Sequence, residues 1–487
     1  MTIVPSATTR PVPPVPRRAP SLTGAPVASA LGGTVGAPAA VRPCGMARDL
    51  SHAVHRDGSH PRRTEIIMFT VLIAGGGIGG LCLAQGLLKA GVDVTVFERA
   101  SSPGAFKEGY RIHLDPDGGR ALHSCLPAER FALLDAACGR PPRAFAWLSE
   151  GLDELLSLNV AAPDGPPDPV AVHRSINRFT LRQILLDGLG DRVRFGKELL
   201  RYEIGADGAV TAHFADGDRA TGSVLVGAEG THSRVRAQLL PHGGRTDTGV
   251  AGTGGRLPLT PATRHLLPPQ LRRGPAMVLA PGGVNMFLAT HENVPGADLP
   301  AHMLPTETGD YLVWGLSARR EALPAGGIDH LGPEALRELT LDLVRTWHPH
   351  VRQIVGESSP SSLSAFTIRT AVPVRPWPAT TVTVLGDAIH SMPPSRGIGA
   401  NTALRDAGVL CAGLVAARDA GTVDGRALTA AIAGYERRMR RYGFAAVKAS
   451  NRALSQSVTT NSAAFAMSRA AMRLINRFPA ARDRVFG

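Results

Sequence analysis

Between Val71 and Arg99 the chain reads VLIAGGGIGGLCLAQGLLKAGVDVTVFER: an apolar run, a glycine cluster, apolar positions at helical spacing, and a second apolar run closing on Glu98. This pattern predicts a strand over 69–74, a helix over 78–90 stopped by Gly91, and a second strand over 92–98. Downstream, SINRFTLRQILLDGL (175–189) places Leu181, Ile184, Leu185 and Leu189 at helical spacing. VRFGKELLRYEI and AVTAHFADG read as strands, with turn signals at Gly205–Gly208 and Asp216–Gly217, and SVLVGAEG follows as an apolar run. The middle, about 243–374, is richer in Pro and Gly, with strand-like pieces AMVLA, NMFLATH and DYLVWGLSA. TTVTVLGDA (380–388) reads as a buried strand ending in a turn, and past Gly399 the chain reads as mostly helical. No internal repeat is visible.

Composition narrows the class. A chain of 487 residues is long enough for two or three domains, and 44% hydrophobic against 19% charged residues suits a soluble enzyme. No uninterrupted apolar run approaches the ~20 residues of a membrane-spanning helix. The five cysteines are scattered, odd in number and without CxxC spacing, which argues against a structural metal site or a disulfide framework and fits a reducing cytoplasm. The net charge of +13 is uneven: the first 64 residues hold eight arginines against Asp49 and Asp57, supplying +6 of it. The rest is diluted over some four hundred residues with no basic stripe interleaved with aromatics, so nucleic acid is not an expected partner. Residues 1–65, rich in Pro, Ala, Ser and Arg, cannot bury enough apolar surface to fold. They read as a transit peptide, as a basic interaction arm, or as sequence ahead of a true start at Met68.

Two glycine-rich turns carry the chemistry. Gly75, Gly77 and Gly80 satisfy GxGxxG, with Ile78 and Gly79 between them. The first glycine permits a tight turn, the second lets backbone approach a pyrophosphate, and the third lets helix and strand pack closely. Glu98, 18 residues past Gly80 and followed by Arg99, lies where a carboxylate accepts hydrogen bonds from adenosine ribose hydroxyls. A nicotinamide and a flavin dinucleotide share that half, so this segment alone does not choose between them. The second turn is GDAIHSMPPSRGIGANTALRDAGVL, Gly386 to Leu410. There Asp387 can accept from a sugar-like hydroxyl, Gly397 and Gly399 let backbone approach a flat ring, and Ala400 and Asn401 open a helix whose positive end points the same way. The other reading is a second tight turn with a capping Asp. His390, Cys82 and Cys125 read as packing or supporting residues rather than catalysts.

Together, GGGIGG…FER and GDAIHSMPP…GIGAN resemble the single-component FAD-dependent monooxygenases, the aromatic-hydroxylase group that includes para-hydroxybenzoate hydroxylase. The motifs are closest to those of the tetracycline-inactivating flavin monooxygenases. The resemblance implies that Asp387 holds the ribitol of FAD and that Pro393 lies beside the flavin where oxygen reacts. It also implies that Arg178, in an R-x-x-L-x-x-x-L helix, contacts FAD. A third family motif, DGxxSxxR, is associated with both FAD and NAD(P)H. Here it reads Glu229-Gly230-Thr231-His232-Ser233-Arg234-Val235-Arg236, with glutamate in place of the aspartate. No second strand–GxGxxG–helix occurs, so a separate NADPH domain is not expected, and the WxWxIP signature of flavin halogenases is absent.

The fold implied is mixed α/β. A Rossmann-like FAD-binding domain comprises 68–145, 173–242 and 375–450, a β-sheet substrate domain 146–172 and 243–374, and a helical C-terminal region 451–487. The activity implied is an NAD(P)H-using hydroxylase of secondary metabolism that delivers one oxygen atom from O2 through a flavin C4a-hydroperoxide to an aromatic, polyketide-like or terpenoid molecule. The substrate is expected between the flavin and the sheet, with NMFLATH and DYLVWGLSA as candidate walls. The alternative is an FAD-dependent reductase or oxidase of the same fold, geranylgeranyl-reductase-like, that inserts no oxygen. No catalytic residue and no metal ligand is assigned, and the protein is expected in the cytoplasm as a monomer or homodimer.

Overall fold

Thr70–Ala74 (β1) is apolar almost throughout because both faces are covered, as in a central parallel strand. In the computed structural model, which describes residues 69–105, 111–159, 168–293, 299–304, 309–421 and 424–478, β1 is the middle of a five-stranded parallel sheet. Asp93–Glu98 (β2) and Val193–Phe195 (β7) lie to one side, Val224–Gly227 (β11) and Val382–Val384 (β17) to the other. The chain winds outward from β1 through β2 to β7, then returns to the far side of β1 for β11 and β17. The winding reverses beside β1, and in such sheets ligands bind in the crevice at the carboxyl ends of the strands flanking the reversal.

Ile78–Lys89 (α1) runs back from that crevice, with Pro116–Cys125 (α2) and Gly399–Asp419 (α9) packed against it. Gly425–Ser457 (α10) packs on α9, and Leu81, Leu404, Leu410, Leu414, Ile432 and Tyr435 are fully buried in the shared core. Ala128–Ala136 (α3) and Arg178–Leu186 (α4) complete this layer, and Arg234–Leu239 (α5) packs on β11, β17 and Leu199–Ile204. Cys82, Cys125, Cys138 and Cys411 are free thiols, all buried in it. An antiparallel meander of Leu199–Ile204 (β8), Val210–Phe214 (β9) and Arg219–Gly222 (β10) stands apart, and Arg111–Leu114 (β3) pairs with Arg174–Asn177 (β6).

The second large sheet has seven strands. Their order is Ser364–Ala371 (β16), Arg245–Pro258 (β12), Tyr311–Arg319 (β15), Val284–His291 (β14), Ala276–Ala280 (β13), Ala144–Ser149 (β4) and Glu154–Asn159 (β5). Its residues alternate strictly between faces. Leu257, Val278, Met286, Leu288, Leu312, Trp314 and Leu316 point to one face, against Pro333–Leu343 (α6) and Pro349–Gly356 (α7), where Val344, Trp347, Val351 and Ile354 complete the core. The indole N–H of buried Trp314 donates to Ser358 Oγ at 2.7 Å. The opposite face carries Trp147, Met277, Phe287, Val313 and the paired glycines Gly254 and Gly315. Ser462–Arg477 (α11) packs beside β5.

Three local readings are revised. The helix expected over 175–189 starts at Arg178, because residues 174–177 pair with β3 and Asn177 caps the helix by accepting from Phe179 N–H at 2.8 Å. The strand expected in VRFGKELLRYEI breaks at Gly196, whose φ of +71° ends β7 before β8 begins. In TTVTVLGDA only Val382–Val384 is strand.

Gly80, where α1 crosses the turn after β1, has no room for a side chain. A Cβ there would lie 2.2 Å from the Gly75 carbonyl oxygen and 3.2 Å from Ile73 and Ala228 side chains. Gly80→Val is therefore expected to cost about 1–3 kcal/mol, read as a lower urea midpoint. An unchanged midpoint would mean that the β1–α1 turn opens without cost.

Candidate functional site

The first turn is shaped by backbone contacts. Gly75, at φ +107°, hydrogen-bonds through its N–H to the Phe97 carbonyl at 2.7 Å, and a Cβ there would meet the Ala228 carbonyl oxygen at 2.4 Å. The turn is thereby pressed between β2 and the end of β11. Gly77 precedes α1 with no side-chain cap, no acidic residue occupies the first helical turn, and only Ala228 O lies within 4 Å of a Gly77 Cβ. A helix N-terminus left uncapped beside open space can receive an anion. Buried Glu98 accepts from Gly76 N–H at 2.7 Å through one oxygen and from Ala100 N–H at 2.9 Å through the other. Each oxygen retains a lone pair for a further donor.

The second turn meets the first directly. A Cβ on Gly79 would lie 2.8 Å from the Leu385 side chain and 3.3 Å from that of Ala403, so α1 and the 385–403 segment touch. Gly386 (φ +62°) leads into the short helix Asp387–His390 (α8), and Gly397 (φ +64°) into α9. Like α1, α9 begins without a side-chain cap, and nothing lies within 4 Å of a Gly397 Cβ. Two long helices thus present bare N-termini at one crevice. Asp387 is exposed there, Pro393 is buried, and Ile78, Gly399 and Ala400 are half-buried.

Beneath the second turn lies a buried polar node, which gives His390 the supporting role its sequence context suggested. Asp406 on α9, fully buried, accepts from Gly386 N–H at 2.8 Å and from Tyr442 O–H on α10 at 2.6 Å, and pairs with His390 Nε2 at 2.6 Å. Burial pulls the His390 pKa down, but the charge and hydrogen bond of Asp406, aided by Asp387, outweigh it and hold the value above the ordinary imidazole range. His390 packs so closely that a Cβ on Gly443 would be 2.7 Å from its ring.

Glu229, the departure from DGxxSxxR, accepts from Ser233 O–H at 2.5 Å and from the Arg234 and Val235 N–H groups at 3.1 Å each. The longer side chain caps α5, and burial pushes its pKa up. Arg236 donates to the Thr231 and Ala388 carbonyls, and Arg245 to Thr231 O. Arg236, Arg245 and Arg369 share one basic cluster, with Asp387 within electrostatic reach of Arg245.

Several sequence-predicted residues behave differently from one another. Gly75, Gly77, Gly79, Gly80, Glu98, Asp387, Gly397 and Gly399 gather at the crevice. Asn401 is buried, its amide donating to His113 O at 2.8 Å while its carbonyl accepts from Asp115 N–H at 3.0 Å, so it ties β3 to α9. Arg178 is exposed at the start of α4, and Arg99 is exposed after β2. One turn beyond Arg178, Arg182 is buried and donates to the Gly76 carbonyl at 2.9 Å, its pKa lowered to about 10 by burial. Its i+4 spacing from Arg178 was the available signal.

Beside the crevice lies the face of the seven-stranded sheet opposite α6 and α7, part of which, at Val250, Asn285 and Arg319, is covered by the end of α10. Ala371 N–H donates to Ser391 O at 2.8 Å at one end, and Asn177 Nδ2 to Tyr311 Oη at 3.2 Å at the other. Between these anchors Gly254 pairs with Gly315. A Gly315 Cβ would meet nothing within 4 Å, and the side chain nearest a Gly254 Cβ is Phe366, at 3.8 Å. Backbone at Gly315 is thus left uncovered by other side chains. Phe287 of NMFLATH and Val313 of DYLVWGLSA lie on this same face, packed with Ala289 and Tyr311. Among the described residues, no group of three or more His, Cys, Asp or Glu could hold a metal ion, and no helix is long and apolar enough to cross a membrane.

Comparisons with known proteins address the family and the fold. The FAD binding domain family matches residues 330–450, and the NAD(P)-binding Rossmann-like domain family matches residues 73–124. The dual O-methyltransferase/FAD-dependent monooxygenase elcB of Phaeosphaeria nodorum is 33% identical over 370 residues, covering 70% of this chain and 39% of that protein. The chain therefore spans about two fifths of the length of such dual relatives. Aurachin C monooxygenase/isomerase of Stigmatella aurantiaca is 31% identical over 344 residues, 70% of this chain and 79% of that protein. A solved structure described as an FAD containing monooxygenase, from Photorhabdus luminescens, superposes with a TM-score of 0.71 at 34% identity, covering 81% of this chain and all (100%) of that one. Klebsiella pneumoniae HpxO, complexed with FAD and uric acid, shares the fold with a TM-score of 0.65 at 23% identity, covering 83% of this chain and 92% of that one.

The Asp406 node makes stability depend on pH. His390 has a folded-state pKa above its unfolded value, so its contribution is fully present below about pH 6.5 and is lost as pH rises through the folded value. Asp406→Asn is expected to destabilise by about 3–5 kcal/mol and to flatten that slope, measured by urea unfolding between pH 6 and 9. A variant that keeps the wild-type slope would show that the pair does not carry it.

Proposed function

Because the chain belongs to the FAD-dependent monooxygenases, we propose that it binds FAD, draws reducing equivalents from NAD(P)H and inserts one oxygen atom of O2 into an aromatic, polyketide-like or terpenoid molecule. The observation that carries this reading is the pair of uncapped helix N-termini, α1 and α9, held together at one crevice through Gly79. FAD carries its pyrophosphate at the centre and its flat ring at one end, so the first turn suits the pyrophosphate and the second the ring.

Bound FAD supplies the hydride acceptor and the activation of oxygen. The chain's own residues hold, orient and exclude. Gly75–Gly80 cradles the pyrophosphate, Glu98 accepts from the adenosine ribose, and Asp387 accepts from the ribitol. The backbone from Gly397 to Asn401 approaches the ring, with Pro393 beside it, and Arg178 and Arg99 lie at the rim. Arg182 stiffens the first turn through Gly76. The cluster of Arg236, Arg245 and Arg369 next to Asp387 suits the phosphates of a pyridine nucleotide. The sheet face bearing Gly254 and Gly315 places the substrate against the flavin end and keeps water from the reacting oxygen. On this reading the protein acts in the cytoplasm as a monomer or homodimer, without nucleic-acid partners, and its four buried free thiols fit a reducing compartment.

Purified protein is expected to be yellow and to consume NAD(P)H and O2 with formation of an oxygenated product when a suitable hydroxyaromatic is added. A colourless protein that takes up no FAD would overturn the reading. Bound FAD with NAD(P)H oxidation and no oxygenated product would favour a reductase or oxidase. Asp387→Ala is expected to weaken FAD retention about tenfold or more, since charge-assisted hydrogen bonds are lost. Arg245→Ala is expected to raise KM for NADPH about tenfold with FAD occupancy unchanged, and an unaltered KM would remove the arginine cluster from nucleotide binding.

A further inference from the structure

The positive charge carried beyond residue 64 is gathered rather than diluted. Residues 437–478, most of α10 and all of α11, hold nine arginines and lysines and no aspartate or glutamate. Outside this stretch and residues 1–64 the chain is net −2. Of the nine cations, only Arg469 makes an ion pair among the described residues, with Glu150 at 2.7 Å. Arg437, Arg438, Arg441, Lys448 and Arg452 are exposed on α10, and Arg473 and Arg477 on α11.

α11 is also apolar on two sides. Phe465, Arg469, Met472 and Asn476, spaced i, i+4, i+7 and i+11, form its half-buried side. That side is fixed to the sheet: Asn476 accepts from Ser157 N–H and donates to Glu154, both at 3.1 Å, and Arg469 reaches Glu150. Met467, Ala471 and Leu474, continued by Phe478, repeat the same spacing on the opposite side, in solvent. Met467, Leu474 and Phe478 are 69%, 58% and 57% exposed, and they are three of the seven large apolar side chains left exposed among the described residues. Arg473 and Arg477 border this stripe along one edge. Beside α11 lies a pocket of about 400 Å³ lined by Arg469, Arg473, Thr459, Thr460, Ser462 and Phe465.

We infer that α11 is a membrane-surface anchor, lying along a bilayer rich in anionic lipid. Met467, Leu474 and Phe478 enter the apolar layer, Arg473 and Arg477 meet the lipid phosphates, and the hydroxyl-lined pocket beside Arg473 has room for a headgroup. An apolar stripe edged by arginine, with no acidic residue in the helix, has the chemistry of an interfacial helix. The exposed cations of α10 add attraction to the same lipids. A second copy laid on the stripe would bring like charges together, and a nucleic acid would leave Met467 and Leu474 in water. A bilayer of anionic lipid receives both the charge and the apolar side chains. No helix here crosses it.

The test is co-sedimentation of the full-length protein, as purified, with vesicles of phosphatidylcholine carrying about one third phosphatidylserine, and with vesicles of phosphatidylcholine alone. The protein is expected to bind the anionic vesicles about tenfold or more tightly, with a preference that shrinks as salt is raised. Residues 1–64 are basic as well, so variants of α11 decide. Arg473→Gln with Arg477→Gln is expected to weaken binding to the anionic vesicles about tenfold or more, and Met467→Gln with Leu474→Gln about as much. All four side chains are exposed and glutamine suits a helix, so the urea midpoint should stay at the wild-type value. Wild-type protein that ignores anionic vesicles, or variants that bind as the wild type does, would overturn the assignment. Weakening by the arginine pair alone would also overturn it, leaving charge attraction without an inserted helix. So would a dimer that Met467→Gln with Leu474→Gln dissociates in sedimentation velocity, in a protein that binds no vesicles, since a second copy would then cover the stripe.

Discussion

The structure depends on how closely two backbones can approach along the seam between α1 and α9. Gly79 lies against Leu385 and Gly86 against the thiols of Cys125 and Cys411, each within 2.9 Å of where a side chain would begin, while on the sheet side of α1 Gly80 lies against the Gly75 carbonyl. Protein interiors tolerate little excess volume, so residues without a Cβ at these positions let the first turn and the second share one crevice. If the seam were wider by the thickness of a methyl group, the two uncapped helix ends would face separate spaces.

Asp406 addresses the other constraint on that crevice, its polar backbone. A glycine-rich turn leaves N–H groups with few local partners, and burying them unpaired is costly. Asp406 satisfies Gly386 N–H and in the same contact draws His390 and Tyr442 to the underside of the turn. The exposed side, bearing Asp387, is left free for a ligand. Glu229 does comparable work on the neighbouring loop by capping α5, so the extra methylene relative to aspartate serves a helix end.

The seven-stranded sheet divides its labour between two faces. One is filled by α6 and α7 and is ordinary core. The other is anchored at its two ends, by Ser391 on Ala371 and by Asn177 on Tyr311, and left open over Gly254 and Gly315. Alternation along the strands puts Gly254, Gly315, Phe287 and Val313 on this second face.

The sequence by itself determined the kind of fold and the two turns. Strand, glycine cluster and helix are local patterns, and the spacings of GGGIGG, Glu98 and GDAIH depend only on neighbours along the chain. Alternation in NMFLATH and DYLVWGLSA marked strands but not which face would be open, since both faces there are apolar. It also left SINRFTLRQILLDGL ambiguous, because only pairing with residues 111–114 makes its first residues a strand. Arg182 and Asp406 were legible as residue types but not as members of the site. Arg182 and Asp406 find partners 106 and 20 residues away, at Gly76 and Gly386, and Arg111 comes within electrostatic reach of Tyr311, 200 residues on. Whether a buried charge finds a partner is settled by which strands and helices the fold brings side by side, and only the tertiary structure decides that.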